Sequence, residues 1–200
     1  MKKIKGYIRT KELNALGIRG AEIKRLCADN VLLRIQHGLY RDMDLFLQDQ
    51  SFLDVTAAYP KAVITGLSAL FYYNLTTFIP HSIYIAIPRG GNVPKIIYPP
   101  VEVCSLTKPF FELGVTEEKR GRYSFRIHSR ERAVCEAFRF RNKIGIDIAK
   151  EVITGYIRDR KNRDIMKLYN MAQKCKVIKI MEPWMMALMW QDGLTKMNNL

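Results

Sequence analysis

The chain has 200 residues, 48% hydrophobic and 26% charged, ordinary values for a globular protein that buries a core without disulfide staples. No apolar run reaches membrane-spanning length, and the Met-Lys-Lys start lacks the apolar core of a secretion signal. A cytoplasmic protein without membrane contact is therefore expected, with Cys27, Cys104, Cys135 and Cys175 as reduced thiols. The charge is unusual: 33 Lys and Arg against 19 Asp and Glu give a net +14, which favours a polyanionic partner. Residues 1–42 hold ten Lys/Arg and four acids; residues 120–163 hold thirteen and five. The stretch between them is close to neutral. Two basic surfaces are implied, a primary one at the start of the chain and a secondary one beyond the middle.

In chain order, the first segment reads as helix, turn, helix and hairpin. Thr10 is placed to cap a helix whose apolar stripe is Leu13, Leu16 and Ile18, and Gly17 suits the turn that ends it. A second helix is expected over about 20–29. At 100° per residue it gathers Ile23, Leu26 and Cys27 on one face. Ala21, Arg25 and Ala28 lie opposite, with Lys24 at the edge. Small alanines around a long cation let a helix enter a major groove, although a solvated charged face gives the same pattern. Residues 31–35 and 39–41 read as strands joined at Gln36-His37-Gly38. A helix followed by a basic hairpin carrying Arg34, His37 and Arg41 is the order of a winged helix-turn-helix, whose wing lies along the DNA backbone.

Residues 45–59 are expected to be helical, with Leu45, Phe46, Leu53 and Val55 as candidate buried positions and Pro60 as the stop. Short strands are predicted at 62–65, 82–87, 101–106 and 123–128, and a helix at 68–73. Lys119-Arg120-Gly121-Arg122 reads as the turn before the last strand. Ser129 suits the cap of a helix through Phe138. Further helices are expected over about 147–158, 163–174 and 184–189, the last with Pro183 in its first turn. The predicted class is α+β: an N-terminal winged helix-turn-helix over 1–43, then a mixed α/β region over 44–200 that ends in helices.

No cofactor and no metal site are expected. His37, His81 and His128 lack ligand spacing, and Arg89-Gly90-Gly91-Asn92 lacks the lysine of a phosphate loop. Gly66-Leu67-Ser68 does not continue into a nucleophile elbow. Glu117-Glu118-Lys119 contains the Glu-x-Lys half of a metal-dependent nuclease site, with Glu102 or Glu112 as the second carboxylate; a solvated turn is the competing reading. In the second basic block, Phe138-Arg139-Phe140-Arg141 interleaves rings and cations, which with Lys143 suits nucleic acid, or buried rings with snorkelling arginines. Trp184, Met185, Met186, Met189 and Trp190 read as core at helical spacing, with an adaptable partner surface as the alternative.

Several segments together resemble the AbiEi family of antitoxins, the regulator halves of type IV toxin–antitoxin and abortive-infection (phage-defence) systems. The hairpin from Leu33 to Tyr40 is similar to the family's wing. Gly66-Leu67-Ser68-Ala69-Leu70 is similar to its "S-A-L" helix start, and Ile83 to Arg89 to its strand ending in Pro and a cation. Ser129-Arg130-Glu131-Arg132-Ala133-Val134 and Arg141-Asn142-Lys143-Ile144-Gly145 are similar to two later elements. The likeness runs over about residues 7–189. It implies a non-enzymatic repressor that binds inverted repeats in its own promoter. It also implies a nucleotidyltransferase-like toxin, opposed without a stable complex. Where the family carries a full helix before the one at Thr10, only Met1–Gly6 stand before Tyr7, so the winged helix is abbreviated or further residues precede it. On this reading the DNA contacts are Arg9, Lys11, Arg19, Lys24, Arg25, Arg34, His37 and Arg41, with Arg139, Arg141 and Lys143 as a second surface. The alternatives are a metal-dependent nuclease using Glu117 and Lys119 and a winged helix that binds protein.

Overall fold

The structure, a computed structural model, describes residues 5–93 and 95–191. The chain opens with β1 (Tyr7–Arg9), α1 (Thr10–Ala15), α2 (Gly20–Ala28), β2 (Leu32–Gln36) and β3 (Leu39–Asp42). The three strands form an antiparallel sheet in the order β1-β3-β2, with Tyr7 opposite Arg41 and Arg9 opposite Leu39. Leu13, Ile23, Leu26, Leu32 and Tyr40 close a small core between this sheet and the two helices. Leu16, expected in that core, is 40% exposed. A six-residue helix presents barely one apolar row inward, and Leu13 fills it. The start of α1 is set by Glu12, whose carboxylate accepts the Arg9 amide at 2.7 Å; Thr10 is the first helical residue and not the cap. β1 has no local signature in sequence, since its three residues become a strand by pairing with β3.

The remainder is α+β. Helix α3 (Gln50–Ala58) leads to β4 (Val63–Ile64), α4 (Gly66–Tyr72), β5 (Ile83–Pro88), β6 (Val101–Leu106), α5 (Lys108–Glu112), β7 (Val115–Arg120) and β8 (Tyr123–His128). Then come α6 (Arg130–Arg139), α7 (Arg141–Ile144), α8 (Ile146–Arg158), α9 (Ile165–Lys174) and α10 (Ile178–Gln191). The five strands form one mixed sheet, β6-β5-β4-β8-β7. Pairs β5–β6 and β4–β8 are parallel, while β4–β5 and β7–β8 are antiparallel. Ile64, Ile85, Ile87, Phe125 and Ile127 form a core with α3, α4, α6, α8 and α9, where α6 supplies Ala133, Val134, Cys135, Ala137 and Phe138. Ser129 caps α6, its side chain accepting the Arg132 amide.

Several expectations change. Helix α3 starts at Gln50, not Leu45; Asp49 stands at its N-terminus with φ +59, and Phe46 in the preceding loop is 91% exposed. The expected turn at 119–122 shrinks to Gly121-Arg122, because Lys119 and Arg120 continue β7 opposite Ser124 and Tyr123. Pro183 lies inside α10 instead of opening a helix. That helix buries Met181 and Met185, but Trp184, Met186 and Trp190 are 37%, 64% and 76% exposed, so the expected core packing holds for one face only.

Candidate nucleic-acid interface

Helix α2 turns Ile23 and Leu26 inward and leaves Gly20, Ala21, Lys24, Arg25 and Ala28 in solvent. The exposed face is thus small side chains around two cations. Arg25 meets Glu22 at 3.8 Å, one turn away and well exposed, a contact worth little and readily exchanged for a phosphate. Arg19 sits at the N-cap of α2 in extended backbone, exposed beside the helix's free amides.

The wing is the β2–β3 hairpin. Gly38 turns it with φ +75 and gives its carbonyl to the Thr10 amide at 3.0 Å, which anchors the hairpin tip on the start of α1. Arg9, Lys11, Arg34 and His37 are thereby gathered around the tip, all exposed. Arg34 Nη2 lies 3.0 Å from His37 Nδ1.

Arg41 is a correction. It was expected on the DNA backbone, but it is only 8% exposed and its Nη1 donates to both oxygens of Asp54, at 3.2 and 3.0 Å. Tyr7 donates its hydroxyl to Asp54 Oδ1 at 2.6 Å, and Gln50 Nε2 reaches both at 2.9 and 3.0 Å. Burial pushes the Asp54 carboxyl upward, against Tyr7, Arg41 and Gln50, which all favour its charged form. Burial likewise raises the Tyr7 phenol, as do its hydrogen bond and proximity to Asp54. Arg41 therefore fastens the small sheet to α3. A second joint lies at β2, where the Ile97 and Tyr98 amides donate to the Ile35 carbonyl at 2.8 and 3.1 Å. Neither Asp54 nor Gln50 stood out in sequence, though an acid between Leu53 and Val55 in an apolar helix is the signal of a buried ion pair.

In the second basic block, Arg139 is exposed and its guanidinium lies over Phe110 at 4.7 Å from the ring centre. Lys143 is exposed near Phe140, at 5.9 Å. Arg141 is half-buried and donates to the Phe138 carbonyl at 2.9 Å. Phe138 itself is fully buried, so the expected interleaved stacking surface reduces to Arg139, Lys143 and the flank of Phe140. A cleft of about 420 Å³ adjoins Lys143, walled by Leu67, Leu70, Tyr84, Val103 and Phe140. Behind it the buried Glu136 accepts the Gly66 amide at 3.1 Å, the Thr65 hydroxyl, and two bonds from Arg132 at 3.2 and 3.1 Å. His128 Nδ1 lies 3.2 Å from the same carboxylate. Burial opposes its charge, but His128, Arg132 and Thr65 outweigh burial and bring the carboxyl down to about 2.

The nuclease residues do not form a site. Glu102 is on β6 and Glu117 on β7, at opposite edges of the sheet. Glu112 is held at 2.9 Å by Arg126, which also faces Glu117 across the ladder, so a cation already serves both carboxylates. Glu117 accepts the Ser124 hydroxyl at 2.5 Å, and Lys119 is exposed on the edge strand. Among the described residues no three His, Cys, Asp or Glu are grouped to hold a metal ion. Nor is any described helix long and apolar enough to cross a membrane.

Two helices, a three-stranded sheet and a basic hairpin folded back on the first helix define a winged helix-turn-helix, a class of module that places a helix in the DNA groove and a wing along the backbone. Residues 2–41 match the family model described as a transcriptional regulator, AbiEi antitoxin, a span that coincides with that module. The chain matches no curated protein.

Proposed function

We propose that the protein is a DNA-binding autorepressor and the antitoxin of a type IV toxin–antitoxin system. It acts in the cytoplasm, on inverted repeats in its own promoter. The observation that carries this is the exposed cation set on the winged helix: Lys24 and Arg25 on the groove-facing side of α2, Arg19 at its start, and Arg9, Lys11, Arg34 and His37 around the wing. Lys24 and Arg25 reach base edges or nearby phosphates, while the others hold the backbone and set register. Arg139 and Lys143, with Arg141 behind them, supply a second contact to nucleic acid. The partner toxin is a nucleotidyltransferase-like protein opposed without a stable complex.

The test is retardation of DNA from upstream of the gene against random DNA of equal length across a salt series. The reading predicts tighter binding to the upstream DNA and a steep fall with salt. Equal affinity for both DNAs at every salt concentration overturns the repressor assignment. Charge reversal at Arg139 and Lys143 that leaves operator affinity and toxin neutralisation intact removes the second contact.

A further inference from the structure

Two thiols meet between α6 and α9, apart from any DNA-facing residue. Cys135 is in the middle of α6 and fully buried; Cys175 closes α9 and is 2% exposed. The Cys135 thiol hydrogen-bonds the Cys175 sulfur. Arg132, one helical turn before Cys135, donates Nη1 to the same sulfur at 2.8 Å. The remaining bonds of Arg132 go to Glu136 and, at 3.4 Å, to the Phe110 carbonyl. This guanidinium is 1% exposed, so it cannot turn to water for a better acceptor.

A neutral thiol is a poor acceptor for a buried guanidinium, whereas a thiolate matches it in charge. Accordingly the Cys135 hydrogen bond and the Arg132 charge outweigh burial and bring the Cys175 thiol down to about 7. Cys135 goes the other way, because it keeps its proton to donate to Cys175 and is itself buried. The pair is a nucleophilic sulfur beside a protonated one, the arrangement that dithiol oxidation requires. Cys27 and Cys104 are the internal contrast: burial pushes both thiols up, and no guanidinium donates to either sulfur among the described hydrogen bonds.

We propose that Cys135 and Cys175 form a two-electron oxidation site whose product is an intramolecular disulfide tying α6 to α9. With hydrogen peroxide as oxidant, the Cys175 thiolate attacks one peroxide oxygen, the O–O bond breaks, and hydroxide leaves to take up a proton as water. The Cys135 sulfur then attacks the Cys175 sulfenic acid. The S–O bond breaks, the S–S bond forms, and the Cys135 proton leaves with the oxygen as a second water. Two thiols are oxidised and one peroxide is reduced. The product sulfur carries no charge, so Arg132 loses one anion and keeps Glu136, which secures Thr65 and Gly66 behind the cleft.

The experiment treats the full chain with peroxide, blocks the remaining thiols, and maps the peptides without reduction by mass spectrometry. The expected result is loss of two of the four thiols and a single Cys135–Cys175 crosslink, reversed by dithiothreitol. Its rate should rise about tenfold from about pH 6 to about pH 8, following the thiolate fraction. In Cys135→Ser, a sulfenic-acid trap should label Cys175. The proposal is overturned if all four thiols survive peroxide doses that oxidise the urea-unfolded chain, or if the crosslinks involve Cys27 or Cys104 instead. Both readouts come from the unmutated protein and stand whether or not Cys135→Ser folds.

Discussion

Replacing Arg41 with alanine separates a structural arginine from a DNA-contacting one. Asp54 is fully buried, and Arg41 is its only cation within 4 Å among the described ion pairs. Truncation leaves Tyr7 and Gln50 donating to a carboxylate that has lost its counter-charge. Stripping one partner from a buried pair costs about 3–5 kcal/mol. For a chain of this length that lowers the melting midpoint by about 6–20 °C. Arg34→Ala is the matched control. Its side chain is exposed, so stability should change by less than about 0.5 kcal/mol, while the slope of DNA affinity against salt should fall by about one phosphate contact. Thermal unfolding and a salt series of DNA binding, run well below both midpoints, read the two effects independently. The reasoning is refuted if Arg41→Ala melts with the parent protein and lowers the salt slope by one, since Arg41 would then be on a phosphate and not on Asp54.

Three other outcomes follow. Arg25→Ala should cost about 1–3 kcal/mol on the preferred DNA and much less on random DNA, as measured by competition binding, because only base contacts carry sequence preference. Glu136 has a folded-state pKa near 2, below its unfolded value, so the stability it contributes is complete above about pH 4.5 and is lost as pH falls towards 2. That contribution is about 3 kcal/mol, and unfolding followed from neutral to acid pH should show a drop that Glu136→Gln flattens. Gly114 has φ +70, and an added Cβ would stand 2.9 Å from Met171 Cε and 3.1 Å from Arg132 Cβ. Gly114→Ala should therefore lower stability by at least about 1 kcal/mol in urea unfolding, and an unchanged midpoint would contradict the close approach.

What the sequence made legible was whatever is encoded locally. The strands at 101–106 and 123–128 fall where alternation places them, and Ser129 caps α6 as its residue type implies. The wing was legible because Gly38 permits one tight turn between two short strands. What was missed depends on partners distant in sequence. β1 exists through β3, and β7 through its ladder with β8. Arg41 alternates correctly with the exposed Arg34 hairpin and would face solvent if Asp54 did not cover it. Phe46 carries the opposite lesson: an apolar residue near a helix was assigned to the core, but the helix begins only at Gln50. The seven groove and wing cations were found by sequence because exposure is their default. The cluster around Glu136 and Cys175 was not, since its members come from β4, β8, α6 and α9.

The fastening of the small sheet onto α3 through Asp54, and onto residues 96–98 through Ile35, leaves no slack tether between the winged helix and the rest of the molecule. On an inverted repeat, two such molecules would work as a ruler. Each reading head would be fixed to its own bulk, so the separation of half-sites would be measured by rigid bodies meeting or missing each other and not absorbed by a stretching linker.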